Sequence, residues 1–79
     1  MTATEITAAA CRAWAEDKEG KAKRKAPLPG FKAGFKAGAT DHNKDTAWFS
    51  YAQTPQDLDV YYRFERGYAA GNAWREGKP

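Results

Sequence analysis

The chain of 79 residues has a single cysteine, Cys11, and no long apolar segment. One cysteine excludes an intrachain disulfide, and chains without disulfides are typical of the reducing cytosol rather than of secretion. No apolar run approaches the roughly 20 residues that a membrane-spanning helix needs. The N-terminus also lacks the basic segment and apolar stretch of a signal peptide. We therefore expect a cytoplasmic protein that does not associate with membranes.

Signals for β-strands and for catalysis are scarce as well. The sequence has no sustained alternation of apolar and polar residues, no Asn-Gly or Asp-Gly turn, and few β-branched residues. His42 is the only histidine, and no serine or cysteine nucleophile context accompanies it, so we expect a loop histidine in solvent. A chain this short has little room for a closed pocket. These absences predict an all-α, single-domain protein (residues 1–79) that is not an enzyme and holds no cofactor or metal.

One loop carries a partial calcium-binding pattern. Asp41-x-Asn43-x-Asp45 is similar to the opening of an EF-hand loop. The sixth position is Thr46 rather than glycine, and the twelfth is Ala52 rather than glutamate. Because these are the two most demanding positions of the loop, the pattern is a weak indication of calcium.

The sequence does contain an internal repeat. Phe31–Gly38 and Phe64–Gly71 both read Phe-x-x-Gly-aromatic-x-Ala-Gly, at an offset of 33 residues. Glycine costs about 1 kcal/mol against alanine in a helix interior, so the repeated glycines need a packing reason. Their i, i+4 spacing puts both glycines of a copy on one helix face, where a second backbone can approach closely. We predict a pseudo-symmetric pair of helices that meet through the glycines of both copies, Gly34, Gly38, Gly67 and Gly71.

Local signals predict three to four helices. They cover about residues 3–18, 30–39, 46–52 and 55–76. A capping box from Thr2 to Glu5 starts the first helix, and Gly20 is its expected stop. Asp45 or Thr46 is the expected cap of the third helix.

The fourth helix has the clearest predicted start. Thr54 is the expected N-cap, Pro55 occupies the first helical position, and Asp57 suits both a capping box and the helix dipole. Gly77 and Pro79 are expected to end it. The aromatic spacing within the second and fourth helices predicts the main core, with Trp14 covering an edge. The core set is Phe31, Phe35, Phe64, Tyr68 and Trp74.

Three aromatics lie within four residues of the third predicted helix. They are Trp48, Phe49 and Tyr51. Such a cluster is more often core than an exposed platform on which bases stack, although a platform is the functional alternative.

Positive charge is concentrated in one segment. Residues 20–29 form a basic linker that ends in Pro27-Leu28-Pro29-Gly30, because proline keeps the preceding residue extended. Residues 20–40 contain no acid, whereas the net charge of the whole chain is only +3. This asymmetry favours an anionic partner. The predicted nucleic-acid-binding set is Lys21, Lys23, Arg24, Lys25, Lys32, Lys36, Arg63 and Arg66. The alternative is a solvated linker whose charges maintain solubility.

The second repeat resembles a known family. Arg66-Gly67-Tyr68-Ala69-Ala70-Gly71, followed by Trp74-Arg75-Glu76, resembles ribosome modulation factor, whose members are small, basic and helical. Gly34–Gly38 would match the first helix of that family and Arg63–Gly71 the second, over about half of the chain. The family's Cys-Pro connector is absent, the connector is longer, and the first 28 residues have no counterpart. The resemblance implies a two-helix unit that binds ribosomal RNA and proteins and dims translation.

Two functions of different classes follow. The leading hypothesis is a small basic module that engages the ribosome, RNA or DNA. Glycine-aromatic helices also recur in small proteins of phages and mobile elements. The alternative is therefore a phage- or mobile-element-encoded inhibitor or adaptor, whose aromatic and acidic surface binds one host protein. Affinity for phosphates falls steeply with salt, whereas an aromatic-centred protein interface is less sensitive.

Overall fold

The computed structural model describes residues 2–23 and 26–77. Within those ranges the chain forms five α-helices and no strand, which confirms the all-α prediction for one small domain. The helices are α1 (Ala3–Glu16), α2 (Lys18–Lys23), α3 (Phe31–Ala39), α4 (Lys44–Tyr51) and α5 (Leu58–Arg75). The extra helix relative to the prediction is α2, which occupies the first part of the expected linker.

The start of α1 is as predicted, but its end is not. The Thr2 hydroxyl accepts a hydrogen bond from the Glu5 backbone N–H at 3.2 Å, and the Glu5 carboxylate accepts one from the Thr2 N–H at 3.4 Å. The helix ends before Gly20, at Asp17, whose backbone is extended. The Asp17 carboxylate accepts a hydrogen bond from the Glu19 N–H at 3.1 Å, so the residue that ends α1 also caps the next helix.

Gly20 lies inside α2 and is buried, so its expected role as a helix stop was wrong. A Cβ at this position would overlap the carbonyl oxygen of Trp14. Glycine is needed here because α2 folds back directly onto the last turn of α1. The predicted linker at 20–29 therefore begins as helix, and its residues 24 and 25 lie outside the described residues.

Helix α4 starts earlier than predicted. Its N-cap is Asn43, whose side-chain oxygen accepts a hydrogen bond from the Thr46 N–H at 3.0 Å. The expected caps Asp45 and Thr46 therefore lie within the first turn of the helix.

Helix α5 starts later than predicted, at Leu58, with Asp57 at the N-cap position. Thr54 lies before this N-cap and does not cap the helix. Its hydroxyl and carbonyl oxygens accept hydrogen bonds from the Gln56 side-chain amide, at 3.2 Å each. The helix ends just before Gly77, whose φ of 78° is left-handed, whereas Pro79 lies outside the described residues.

Helices α3 and α5 form the most extensive helix pair. A Cβ added to any of the four repeat glycines would overlap a backbone carbonyl oxygen of the facing helix. The overlaps pair Gly34 with Phe64, Gly67 with Phe31, Gly38 with Tyr68, and Gly71 with Phe35. Contacts advance in the same direction along both helices, so the helices run parallel. Each contact has a counterpart in which the two repeats exchange roles: Gly34 meets Phe64 as Gly67 meets Phe31, and Gly38 meets Tyr68 as Gly71 meets Phe35. This exchange is the signature of an internal two-fold relation.

The buried core lies where α1 packs against the α3–α5 pair. Phe31, Phe35 and Phe64 are each 1% exposed. Helix α1 adds a small-residue stripe and Trp14, which is 2% exposed and meets Phe31 edge-on with ring centroids 5.1 Å apart. Trp14 was expected to cover an edge but is instead fully buried.

Two residues of the predicted core are only half-buried. Trp74 contacts Phe35 at a centroid distance of 5.7 Å, and it also lines an open groove between α1 and α5. Tyr68 keeps its hydroxyl at the surface, where it donates a hydrogen bond to the carbonyl oxygen of His42 at 2.5 Å. A tyrosine hydroxyl needs such a partner, which explains its partial exposure.

The aromatic cluster of α4 is divided between core and surface. Trp48 is half-buried and meets Phe64 at a centroid distance of 5.2 Å, whereas Phe49 is 72% exposed. The core interpretation therefore holds for Trp48 and fails for Phe49. None of the helices in the described part of the chain is long and apolar enough to cross a membrane.

Candidate nucleic-acid interface

The two arginines assigned to the interface on α5 are engaged within the protein. Arg63 Nε donates to Glu19 Oε1 at 2.9 Å, and Arg66 Nη2 donates to the same oxygen at 2.8 Å. Arg66 Nε also donates to Asp17 Oδ1 at 3.1 Å. Both arginines were expected to be exposed together, but the Arg63 side chain is only 14% exposed. Their side chains join α5 to Asp17 and to Glu19 of α2 through ion pairs.

This cluster changes the titration of Glu19. The hydrogen bond from Arg63 is the main reason that the pKa of the Glu19 carboxyl lies below its ordinary value of 4.5. Partial burial opposes the shift, and the charges of Arg63 and Arg66 add to it. A carboxylate between two guanidinium groups favours its charged form. The cluster is therefore an ion-paired contact at neutral pH.

The other described cations of α4 and α5 are also paired. Lys44 Nζ lies 3.1 Å from Glu65 Oε2, and this hydrogen bond raises the pKa of Lys44 above its ordinary value of 10.5. Arg75 lies 3.3 Å from Asp41 Oδ1 and donates to the carbonyl oxygen of Gly38 at 3.1 Å. Each described lysine or arginine of these two helices thus has a carboxylate partner.

The same contacts occupy the loop that resembles an EF-hand. Asp41 pairs with Arg75, and the Asn43 side-chain oxygen caps α4. Two of the three oxygen donors in the pattern are therefore engaged by groups of the protein itself.

The lysines of α2 and α3 are arranged differently. Lys21 and Lys23 on α2, and Lys32 and Lys36 on α3, are exposed and make no ion pair among residues 2–23 and 26–77. Arg24 and Lys25 lie outside the described residues. The nucleic-acid role of the whole predicted set stays a prediction.

Two further cations were not included in the predicted nucleic-acid-binding set. Arg12 on α1 and Lys18 on α2 are exposed and unpaired among the described residues. Both lie in a stretch rich in acids, and Asp17 and Glu19 in that stretch turn toward α5. No local pattern reveals this, because the partners of these acids are more than 40 residues away.

Two grooves flank the outer face of α3. One lies between α1 and α3, has a volume of about 310 Å³, and is lined by apolar side chains such as Ile6 together with Lys32 and Lys36. The other lies between α3 and α4, has a volume of about 440 Å³, and contains Lys36, His42 and hydroxyl side chains of α4. Lys36 therefore borders both grooves.

His42 is exposed, as expected of a loop histidine, but it is held firmly. Its ring Nδ1 lies 2.6 Å from the Thr40 hydroxyl. Its backbone N–H donates to the Ala37 carbonyl oxygen at 3.0 Å, and its own carbonyl oxygen accepts from Tyr68. The two backbone hydrogen bonds thus fix the loop at His42, and the Thr40 hydroxyl contacts the ring beside the α3–α4 groove.

Comparison with known proteins adds no family to this description. No protein-family model, curated protein or solved structure matches the chain. The functional argument therefore depends on the charges and surfaces of the molecule.

Proposed function

We propose that the protein binds RNA, with the ribosome as its principal target, through the cations of α2 and α3. The observation that supports the proposal is the unequal pairing of charge. The described cations of α4 and α5 are ion-paired, whereas Lys21, Lys23, Lys32 and Lys36 are not. An unpaired lysine can engage a phosphate without first giving up a carboxylate, so these four side chains, like the unpaired Arg12 and Lys18, are available to a polyanion.

The acids reinforce the separation of charge. Asp45, Asp57 and Asp59 on the α4–α5 side make no ion pair among the described residues, so that side keeps uncompensated negative charge. A polyanion is attracted to the lysines and repelled by these carboxylates. The charge distribution therefore favours one mode of approach.

The proposal has a structural part. The two Gly-x3-Gly helices pack closely through their glycines, and this contact sets α3 between α1 and α5 with Lys32 and Lys36 outward. The overlaps that a Cβ would make at each glycine support this role. In this proposal the protein acts in the cytoplasm by binding alone, without catalysis.

Salt dependence tests the proposal directly. Binding to ribosomes, to a structured RNA and to duplex DNA is measured at several salt concentrations for the parent and for Lys21→Ser/Lys23→Ser and Lys32→Ser/Lys36→Ser. The logarithm of the affinity falls with the logarithm of the salt concentration, and each lost phosphate contact should make this slope shallower by about 1. Lys44→Ser is the control, because it removes one positive charge that already has a carboxylate partner.

Two outcomes would contradict the proposal. The parent would bind neither ribosomes nor the structured RNA, or the lysine variants would bind with the same affinity and the same slope as the parent and the Lys44 control.

A second candidate function has its own supporting observation. Leu58 and Tyr62, one turn apart at the start of α5, are 69% and 50% exposed, and unpaired Asp57 and Asp59 lie beside them. An apolar and acidic surface of this kind suits the inhibitor or adaptor that binds one host protein. Under this alternative, Leu58→Ser/Tyr62→Ser abolishes capture of a lysate protein that survives nuclease treatment and high salt. The lysine variants leave that capture unchanged.

A further inference from the structure

The groove between α3 and α4 contains side-chain donors and no carboxylate. Lys36 lies on one wall, Thr46 and Ser50 on the other, and His42 between them, over an alanine-rich surface. The neighbouring α1–α3 groove has Thr7 as its single uncharged polar lining residue. The two grooves share Lys36 but differ in chemistry, since one offers several hydroxyl groups and the other an apolar floor.

The side-chain hydroxyl groups on the α4 wall of the groove have no hydrogen-bond partner within the described part of the protein. Thr46 and Ser50 are one turn apart, so they lie on the same face of the helix. Serine and threonine within helices often bond to a carbonyl of the preceding turn. Neither side chain makes a hydrogen bond within the described part of the chain, and Lys36 Nζ makes none either. All three groups are available to a ligand.

The Thr40 hydroxyl lies close to the His42 ring. It donates to the Lys36 carbonyl oxygen at 2.8 Å, and its oxygen lies 2.6 Å from His42 Nδ1. The other ring nitrogen, Nε2, has no partner among the described residues. The ring therefore keeps one nitrogen available to a ligand in the groove that it lines.

We infer that this groove binds a phosphate group, and, resting on the function proposed above, that the phosphate belongs to the backbone of the bound RNA. Lys36 supplies the positive charge, Thr46 and Ser50 donate through their hydroxyl groups, and the His42 ring borders the same groove with Nε2 unpartnered among the described residues. Donors on two helices surround a tetrahedral group with several acceptor oxygens better than they match the two oxygens of a planar carboxylate. The absence of acids from the groove lining removes the usual source of repulsion.

The test removes the hydroxyl groups and keeps the shape of the side chains. Thr46→Val/Ser50→Ala is compared with the control Thr4→Val, which removes an exposed hydroxyl group from α1. Binding of a fluorescently labelled single-stranded RNA is followed by anisotropy at low salt, and circular dichroism verifies that both variants fold. The α4 variant should bind about tenfold more weakly, as expected for lost hydrogen bonds to a charged acceptor. The α1 control should stay within about twofold of the parent.

A second measurement places the phosphate. Inorganic phosphate is titrated into ¹⁵N-labelled protein, and amide shifts are expected at residues 33–37, 42 and 46–50. If RNA binds with a salt dependence but the α4 variant matches the control and these amides do not shift, the groove site is wrong and the proposed function stands. If phosphate shifts these amides but the parent binds no RNA, the assignment to RNA is overturned together with the proposed function.

Discussion

Replacing a repeat glycine by alanine tests the contact between α3 and α5 through the resulting change in the free energy of unfolding. Alanine is better than glycine in a helix by about 1 kcal/mol, so Gly34→Ala or Gly67→Ala would stabilise the protein if the position faced open space. At Gly34, however, the added Cβ would lie 2.9 Å from the carbonyl carbon of Phe64, in addition to overlapping its oxygen. Optimal separations between non-bonded carbons are about 3.5–4.0 Å. Because the neighbouring atoms are helical backbone, they cannot rotate away, and the two helices must move apart.

The expected cost follows from overpacking. Inserting a methyl group into a well-packed contact destabilises by about 1–3 kcal/mol. After the helix-propensity gain of about 1 kcal/mol is subtracted, the free energy of unfolding should fall by up to about 2 kcal/mol for Gly34→Ala. A similar change is expected for Gly67→Ala, because the two repeats make equivalent contacts. For a domain of this size each 1 kcal/mol corresponds to about 4–8 °C in Tm. The leucine variants at the same positions should be destabilised at least as much.

Urea unfolding followed by circular dichroism and tryptophan fluorescence measures the effect. Ala69→Gly is the matched control, because Ala69 is exposed on α5. This change measures the difference in helix propensity between alanine and glycine without an effect on packing. If Gly34→Ala and Gly67→Ala are more stable than the parent by the amount that Ala69→Gly loses, the glycines are not at a close helix contact. The reasoning about the α3–α5 pair would then fail.

Two further predictions concern the core and the charged cluster. Phe64→Ala should lower the free energy of unfolding by about 3–5 kcal/mol, close to the whole stability of a domain this small. The control Phe49→Ala, at an exposed position, should change it little. A cooperative unfolding transition of Phe64→Ala with near-parental stability would refute the core assignment. The folded-state pKa of Glu19 is lowered, so its contribution to stability is fully present above its ordinary value of 4.5 and is lost as the pH falls through the lowered pKa. Urea unfolding between pH 3 and pH 7 should therefore show a smaller loss of stability on acidification for Glu19→Gln than for the parent, and parallel pH profiles would show that the pairing with Arg63 does not contribute.

Some features of the fold could be predicted because their signals are local. The capping box at Thr2 and Glu5 involves residues three apart, and the helical spacing of Phe31 and Phe35 depends on one turn. Such patterns are determined by backbone geometry within a few residues, so they survive in any tertiary context. A local signal failed at the start of α5, where Asp57 rather than Thr54 holds the N-cap position and Thr54 is bonded to the Gln56 side chain.

The candidate site could be predicted only in part, because free charge is a tertiary property. Local patterns predict a helical chain, a repeated pair of glycines and a basic segment at residues 20–40. The same patterns do not distinguish among the eight cations of the proposed set. The fold neutralises Arg63 and Arg66 with Asp17 and Glu19, through contacts that span 44 to 49 residues. A side chain pairs with whatever charge the fold brings within a few ångströms, and no local pattern encodes a partner at such a separation.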